Sequence, residues 1–235
     1  MPYRLLTEFE SLFRGRAYLH RNSTQGDLLS IQLYEDLVAL GKSDKLQARI
    51  ASKEWALNAG NRRQGVAARR GDGTFGEIVP GNLPQAPVGF RVARGIIATV
   101  EIGIEVKILA KAMIKQIDRV CSDFAKQVQH FRHGSDNPIC VAVVVVNQAP
   151  HTVSYEGERS YRTDGKSHRH PAQEAAEAER RIRAAIATVY DELLILHYSA
   201  TNEAPFDFEW ANLETTTRDY GAALVRISRE YERRF

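Results

Sequence analysis

Cysteine, methionine and tryptophan occur only twice each in this 235-residue chain. Two cysteines make no zinc site. Cys121, in a helix-like stretch, and Cys140, in an apolar one, read as reduced, buried thiols of a cytosolic protein. Long apolar runs are missing too. The longest near-uniform one, residues 139–146, falls far short of a bilayer span and suits a strand buried on both faces. The N-terminus, Met1-Pro2-Tyr3-Arg4, shows no signal peptide and leads into a polar amphipathic segment. A soluble cytoplasmic protein without a membrane partner is expected. An excess of one charge is nearly absent: 32 Lys and Arg against 29 Asp and Glu leave a net charge of +3, so bulk charge says little about nucleic acid. No phosphate-binding glycine loop with lysine, no dinucleotide-binding glycine fingerprint and no Gly-x-Ser-x-Gly elbow occurs. His130 with His133, and His168 with His170, have no cysteine or acid partner at ligand spacing and read as surface histidines.

What is present is an ordinary globular composition, 43% hydrophobic and 26% charged, long enough for an α/β core. Apolar spacing predicts a helix over 3–20, a second ending at Leu40 before Gly41, and a third from Asp44 through Trp55 and Leu57. Residues 1–60 are thus expected to form an N-terminal helical segment packed on the core, and 61–235 an α/β core, the whole one continuous domain. From Asn61 to Pro87, glycines and prolines break any helix, and a loop or hairpin is expected around 74–79. Strands are expected over 88–93, 96–108 and 139–147, a helix from Ala110 to Phe131, a short strand over 153–155, a helix from Pro171 to Tyr190, a strand over 193–197 and a last helix over 213–231. The order predicts a mixed central sheet flanked by helices on both faces. Positive residues gather in the loops: Arg62, Arg63, Arg69 and Arg70, then Arg91 and Arg94, then Lys166, His168, Arg169 and His170. Such clusters suit phosphate contact or simple solubility. Tyr155, Tyr161 and Trp210 suit stacking on bases or rim packing.

The stretch Glu101–Arg119 carries the most chemistry. Its first half is a β-branched strand in which Glu105 and Lys107, two apart, share one face. The flanking Ile102, Ile104, Val106 and Ile108 make that strand central, so a carboxylate and an ammonium on its covered face need a partner or a metal. Lys111, Lys115 and Arg119 recur every four residues and read as a basic stripe on the following helix, suited to a phosphate backbone or to solvent.

These residues resemble the PD-(D/E)xK nuclease superfamily, which includes restriction endonucleases and junction resolvases. Acid-x-lysine at the end of a strand is matched by Glu105-Val106-Lys107, and Gln116 matches a glutamine often found in the following helix. The resemblance covers roughly residues 25–147 in topology. It implies a restriction-endonuclease-like α/β/α core and a metal-dependent DNA endonuclease of restriction, defence or repair type. It further implies a Mg²⁺ cofactor (with Mn²⁺ as a substitute), DNA as partner and a homodimer. Glu105 would be a metal ligand and Lys107 would position the attacking water. The first acid of the family's pattern is missing from its usual place, since residues 83–100 hold neither Asp nor Glu. Glu101 shares the face of Glu105 but lies roughly 13 Å away along a straight strand, unless Gly103 marks a bulge. Glu77 and Asp72 are the other contenders, and Asp27 or Glu35 could add a ligand from a helix. The alternatives are a catalytically inactive nuclease-fold protein that binds nucleic acid or a protein, and an α/β enzyme using Glu105 and Lys107 as an acid/base pair.

Overall fold

The apolar run centred on Val143 forms the middle of the molecule in the computed structural model, which describes residues 3–20, 22, 24–58, 71–111, 113–133 and 137–235. Three helices come first: α1 (Arg4–Ser11), α2 (Thr24–Leu40) and α3 (Asp44–Ser52). Strands β1 (Trp55–Asn58), β2 (Gly73–Glu77) and β3 (Ile102–Leu109) follow, then a 3₁₀ turn (Ile114–Gln116) running into α4 (Ile117–His133). After β4 (Ile139–Asn147) come the hairpin β5 (Thr152–Glu156) and β6 (Arg159–Thr163), then α5 (Pro171–Ile186), β7 (Glu192–Ser199), β8 (Glu209–Trp210) and α6 (Leu213–Arg234). The main sheet has the order β1-β2-β3-β4-β7-β8. Its three central strands are mutually parallel, and β1, β2 and β8 add antiparallel edges. This is the mixed sheet flanked by helices that the element order predicts.

Every residue of β4 is buried, because both pleat faces are covered. Val141, Val143 and Val145 pack with Phe9 of α1, Leu33 of α2 and Leu224 of α6. Ala142, Val144 and Val146 pack with Phe124 and Val128 of α4 and Ile182 of α5. Alternation on β3 follows the same division: Ile102, Ile104 and Val106 join the first layer. Gly103, Glu105 and Lys107 therefore face the α4 side. Gly103 makes no bulge, for it pairs regularly with Thr74 and Cys140. It is a glycine because a Cβ there would lie 2.5 Å from the Phe131 ring of α4.

One side chain joins the ends of the parallel strands. Asn147 donates to the carbonyls of Ala110, just past β3, and Ala200, just past β7, and accepts from the Ala149 and Ala200 N–H groups. Asn202 fixes the neighbouring hairpin in the same manner, donating to the carbonyls of Tyr18 and Val153 and accepting from the Tyr18 N–H.

Several boundaries differ from the sequence reading. The first helix covers only Arg4–Ser11 of the expected 3–20. The third stops at Ser52, where Lys53 turns left-handed at φ 61°, and Trp55–Asn58 leaves helical geometry to pair with β2. The first sixty residues are therefore not all helical. Residues 88–93 form no strand, and the ladder of β3 begins only at Ile102. The intervening chain is held by isolated pairings such as Ile78 with Ile97 and Gln85 with Arg94. The helix expected from Ala110 begins at Ile117, after a turn whose Met113 and Ile114 N–H groups donate to the Glu174 carboxylate. Among the described residues no helix is long and apolar enough to cross a membrane.

Candidate active site

Glu105 lies in the middle of β3, opposite Ala142 of β4. On its other side, the antiparallel register pairs Gly73 with Ile104, so the next step outward sets Asp72 against Glu105. Here β2 has not yet begun, and a side chain continues the ladder: Asp72 Oδ2 accepts the Val106 N–H at 2.7 Å. The Asp72 backbone is fixed as well, its carbonyl accepting the Ser30 hydroxyl of α2 at 2.9 Å. The first turn of α2 lies directly on the Asp72 carboxylate. A Cβ on Gly26 would stand 2.5 Å from its Cγ and Oδ1, so only glycine admits this approach.

Lys107 completes the group. Its ammonium is ion-paired with Glu105 Oε1 and lies 6.0 Å from the centre of the Phe124 ring of α4. The Glu105 side chain is only 8% exposed, whereas Lys107 keeps 29% and forms the opening to solvent. Burial, and next the Asp72 charge, push the Glu105 carboxyl up to about 7, against the opposing pull of Lys107. Burial works against the Lys107 ammonium, but Glu105 and Asp72 outweigh it and hold its pKa above the ordinary value. Two carboxylates and one ammonium thus lie close together, largely buried, where β2 and β3 part.

No family model, curated protein or solved structure matches this chain. Of the three contenders for the second acid, Asp72 is the one the fold brings to Glu105. Glu101 stands at the start of β3 and is built into a different cluster: Oε1 accepts the Trp55 indole N–H at 2.9 Å, and Oε2 meets Arg49 at 2.7 Å and the Tyr231 hydroxyl. Glu77 is exposed at the other end of β2, opposite Trp55. Glu35 accepts the Arg91 and Val92 N–H groups and pairs with Arg4, away from β3. Asp27 follows Gly26 in the first turn of α2. Among the described residues no three His, Cys, Asp or Glu side chains gather to hold a metal.

The remaining candidates scatter. Gln116, on the 3₁₀ turn, lines a cavity with Lys111 at the far end of β3. Lys111, Lys115 and Arg119 form no helical stripe, because α4 has not started at the first two. Lys111 instead turns to Glu156 and Ser154 of β5, and Arg119 faces Asp123. Arg62, Arg63, Arg69 and Arg70 lie outside the described residues. Gly26 and Phe124 were not legible as site residues. A glycine in the first turn of an otherwise good helix former was the one available signal for the former.

Proposed function

We infer that this chain is a metal-dependent DNA endonuclease, with Asp72 and Glu105 holding the cation and Lys107 serving the attacking water. The observation that supports it is the placement of Asp72 against the Glu105–Lys107 pair. It supports Asp72, rather than Glu77 or Glu101, as the second acid of the acid-x-lysine pattern. The donor set suits Mg²⁺, a hard cation that typically takes one or two carboxylates and leaves its other positions to water and phosphate oxygens. Burial, and next the Asp72 charge, push Glu105 up to about 7, and a bound cation would offset both. When bound, such an ion lowers the pKa of its water and offsets charge on the phosphate. Lys107, steered by Glu105, directs its ammonium hydrogens toward the attacking oxygen and a phosphate oxygen. Asp72, anchored on Val106 and confined by Gly26, keeps its carboxylate fixed through the reaction. The water oxygen bonds to phosphorus as the bond to the departing oxygen breaks; the water's proton leaves to solvent through the Lys107 opening, and the departing oxygen takes a proton from solvent to leave as an alcohol. The free thiols of Cys121 and Cys140 suit a cytoplasmic setting, and a homodimer would bring two such sites to two strands.

One observation favours the rival reading of an inactive nuclease-fold binding protein: Glu105 is only 6% exposed and closed by its own ion pair. Plasmid incubated with Mg²⁺ or Mn²⁺ separates the two. Cleavage by the wild type that is lost in Glu105→Ala, Lys107→Ala and Asp72→Ala supports the endonuclease. DNA binding with no cleavage in either metal supports the binding protein.

A further inference from the structure

A polar recess lies at the C-terminal end of β3, where the strand gives way to the 3₁₀ turn. One cavity, of about 210 Å³, is lined by Lys111, Lys115, Gln116, Tyr161 and His168. An adjoining one of about 110 Å³ shares Lys111 and Gln116 and adds His20. The Lys111 ammonium donates to the Tyr161 hydroxyl at 2.6 Å and sits 4.9 Å from the centre of its ring. Lys115 approaches His168 Nδ1 at 3.4 Å. Both ring nitrogens of His20 are buried without a hydrogen-bond partner among the described residues, beside Lys111. Burial, and next the Lys111 charge, depress His20 to about 4. Buried polar atoms that find no partner in the protein are uncommon, and a polar ligand or water in that cavity would satisfy them.

The recess is built rather than incidental. Its far wall is the hairpin β5–β6, fastened by Asn202 to Tyr18 and Val153 and by the Val153 N–H to the Thr201 carbonyl at 2.8 Å. Glu156 holds Lys111 and Tyr161 in place from behind. Lys115 is exposed and reaches only toward His168 among the described residues. The opening therefore presents an ammonium, a phenol hydroxyl, an imidazole and an amide around an aromatic ring 38% exposed. That combination takes a phosphate together with a stacking base. The recess also lies along the same strand as the reacting group. Lys111 follows Lys107 by four residues, at most about 13 Å of extended chain. On α4, Phe124 faces Lys107 and Val120 lines the recess, one turn of about 5.4 Å apart.

We propose that this recess is a phosphate subsite that holds a single strand of nucleic acid about two to four nucleotides from the reacting phosphodiester, with Lys115 on the phosphate and Tyr161 against a base. The distance rests on the endonuclease reading, whereas binding at the recess does not. At about 3.4 Å rise per nucleotide, the separation from Lys107 spans that length of strand.

The test uses a fluorescein-labelled dT12 oligonucleotide in chelator, with anisotropy read across a salt series, and inorganic phosphate as competitor. Lys115→Ala, at an exposed position, should weaken binding several-fold and make the slope of log affinity against log salt shallower by about 0.7, the change expected for one phosphate contact to a single strand. Tyr161→Leu should weaken binding several-fold with the slope unchanged. Glu156→Gln, which removes the carboxylate that faces Lys111 and Tyr161, should tighten binding if the variant melts as the wild type does. Affinity and slope unchanged in Lys115→Ala would overturn the subsite, as would an absence of oligonucleotide binding by the wild type. Displacement by millimolar inorganic phosphate with no dependence on Tyr161 would reduce the recess to a free-phosphate site and overturn the strand assignment. Wild-type binding through Lys115 with no cleavage in Mg²⁺ keeps the subsite and rejects the endonuclease; cleavage with binding indifferent to Lys115 does the reverse.

Discussion

The Asp72 carboxylate accepts the backbone N–H of Val106, the residue between Glu105 and Lys107, at 2.7 Å. One oxygen of a proposed metal ligand therefore also closes the sheet. Asp72→Asn keeps an acceptor for that N–H, whereas Asp72→Ala leaves it unpaired beside a covered strand. Both should abolish cleavage. Only the alanine variant should lose about 1–3 kcal/mol in chemical denaturation, the cost of an unsatisfied buried donor. Equal losses in the two variants would contradict this account.

Gly26 gives a contrasting case. Alanine raises helix propensity by about 0.8–1 kcal/mol inside α2, but its Cβ would stand 2.5 Å from the Asp72 carboxylate. Gly26→Ala should leave overall stability within about 1 kcal/mol of wild type and still cut plasmid cleavage by roughly 10²-fold, since misplacing a reacting group by about 1 Å carries that cost. A variant that cleaves normally would show that Asp72 is not held from this side.

Glu105 makes stability depend on pH. Its pKa in the fold, about 7, lies above the ordinary 4.5, because burial and Asp72 disfavour the charge. Between those values the folded chain holds a proton that the unfolded chain has released. Stability should therefore fall as pH rises from about 4.5 to 7 and remain lower above that window. Glu105→Gln removes this term. Relative to wild type, the variant should gain on the order of 2–3 kcal/mol between pH 4 and pH 8. Denaturation midpoints that run parallel for both proteins across this range would rule it out.

Glu101 should behave as a structural acid. Its carboxylate is shared by Trp55, Arg49 and Tyr231, which tie β1, α3 and α6 to the start of β3. Glu101→Ala strands Arg49 beside buried rings and should cost about 3 kcal/mol. Cleavage per folded molecule, measured below the unfolding transition, should stay unchanged.

Long, locally determined elements were the legible part of this chain. The bounds of β4 follow from one near-uniform apolar run, and the starts of α5 and α6 from apolar spacing, with a proline opening α5; α5 ends at Ile186, short of the expected Tyr190. What escaped the sequence depends on distant partners. Trp55–Asn58 continues the spacing of α3 but is claimed by β2. Lys111 keeps the four-residue rhythm of α4 but is drawn off by Glu156, forty-five residues away. The acid-lysine pair could be found because both lie on one strand. Its companion could not be chosen among Asp72, Glu77 and Glu101, because the choice depends on the register of β2 against β3, which no local pattern encodes. The hairpin β5–β6 had a local sign in Gly157, whose φ is 66°.

Asn147 bonds to backbone beyond both β3 and β7 and to its own following turn. Displacement at one strand end is thus transmitted to the other, so the wall bearing Lys111 and the one bearing Asn202 yield or hold together. An aliphatic residue at this point would loosen the far rim of the sheet as a unit while the Asp72–Glu105 end, anchored by α2, kept its shape.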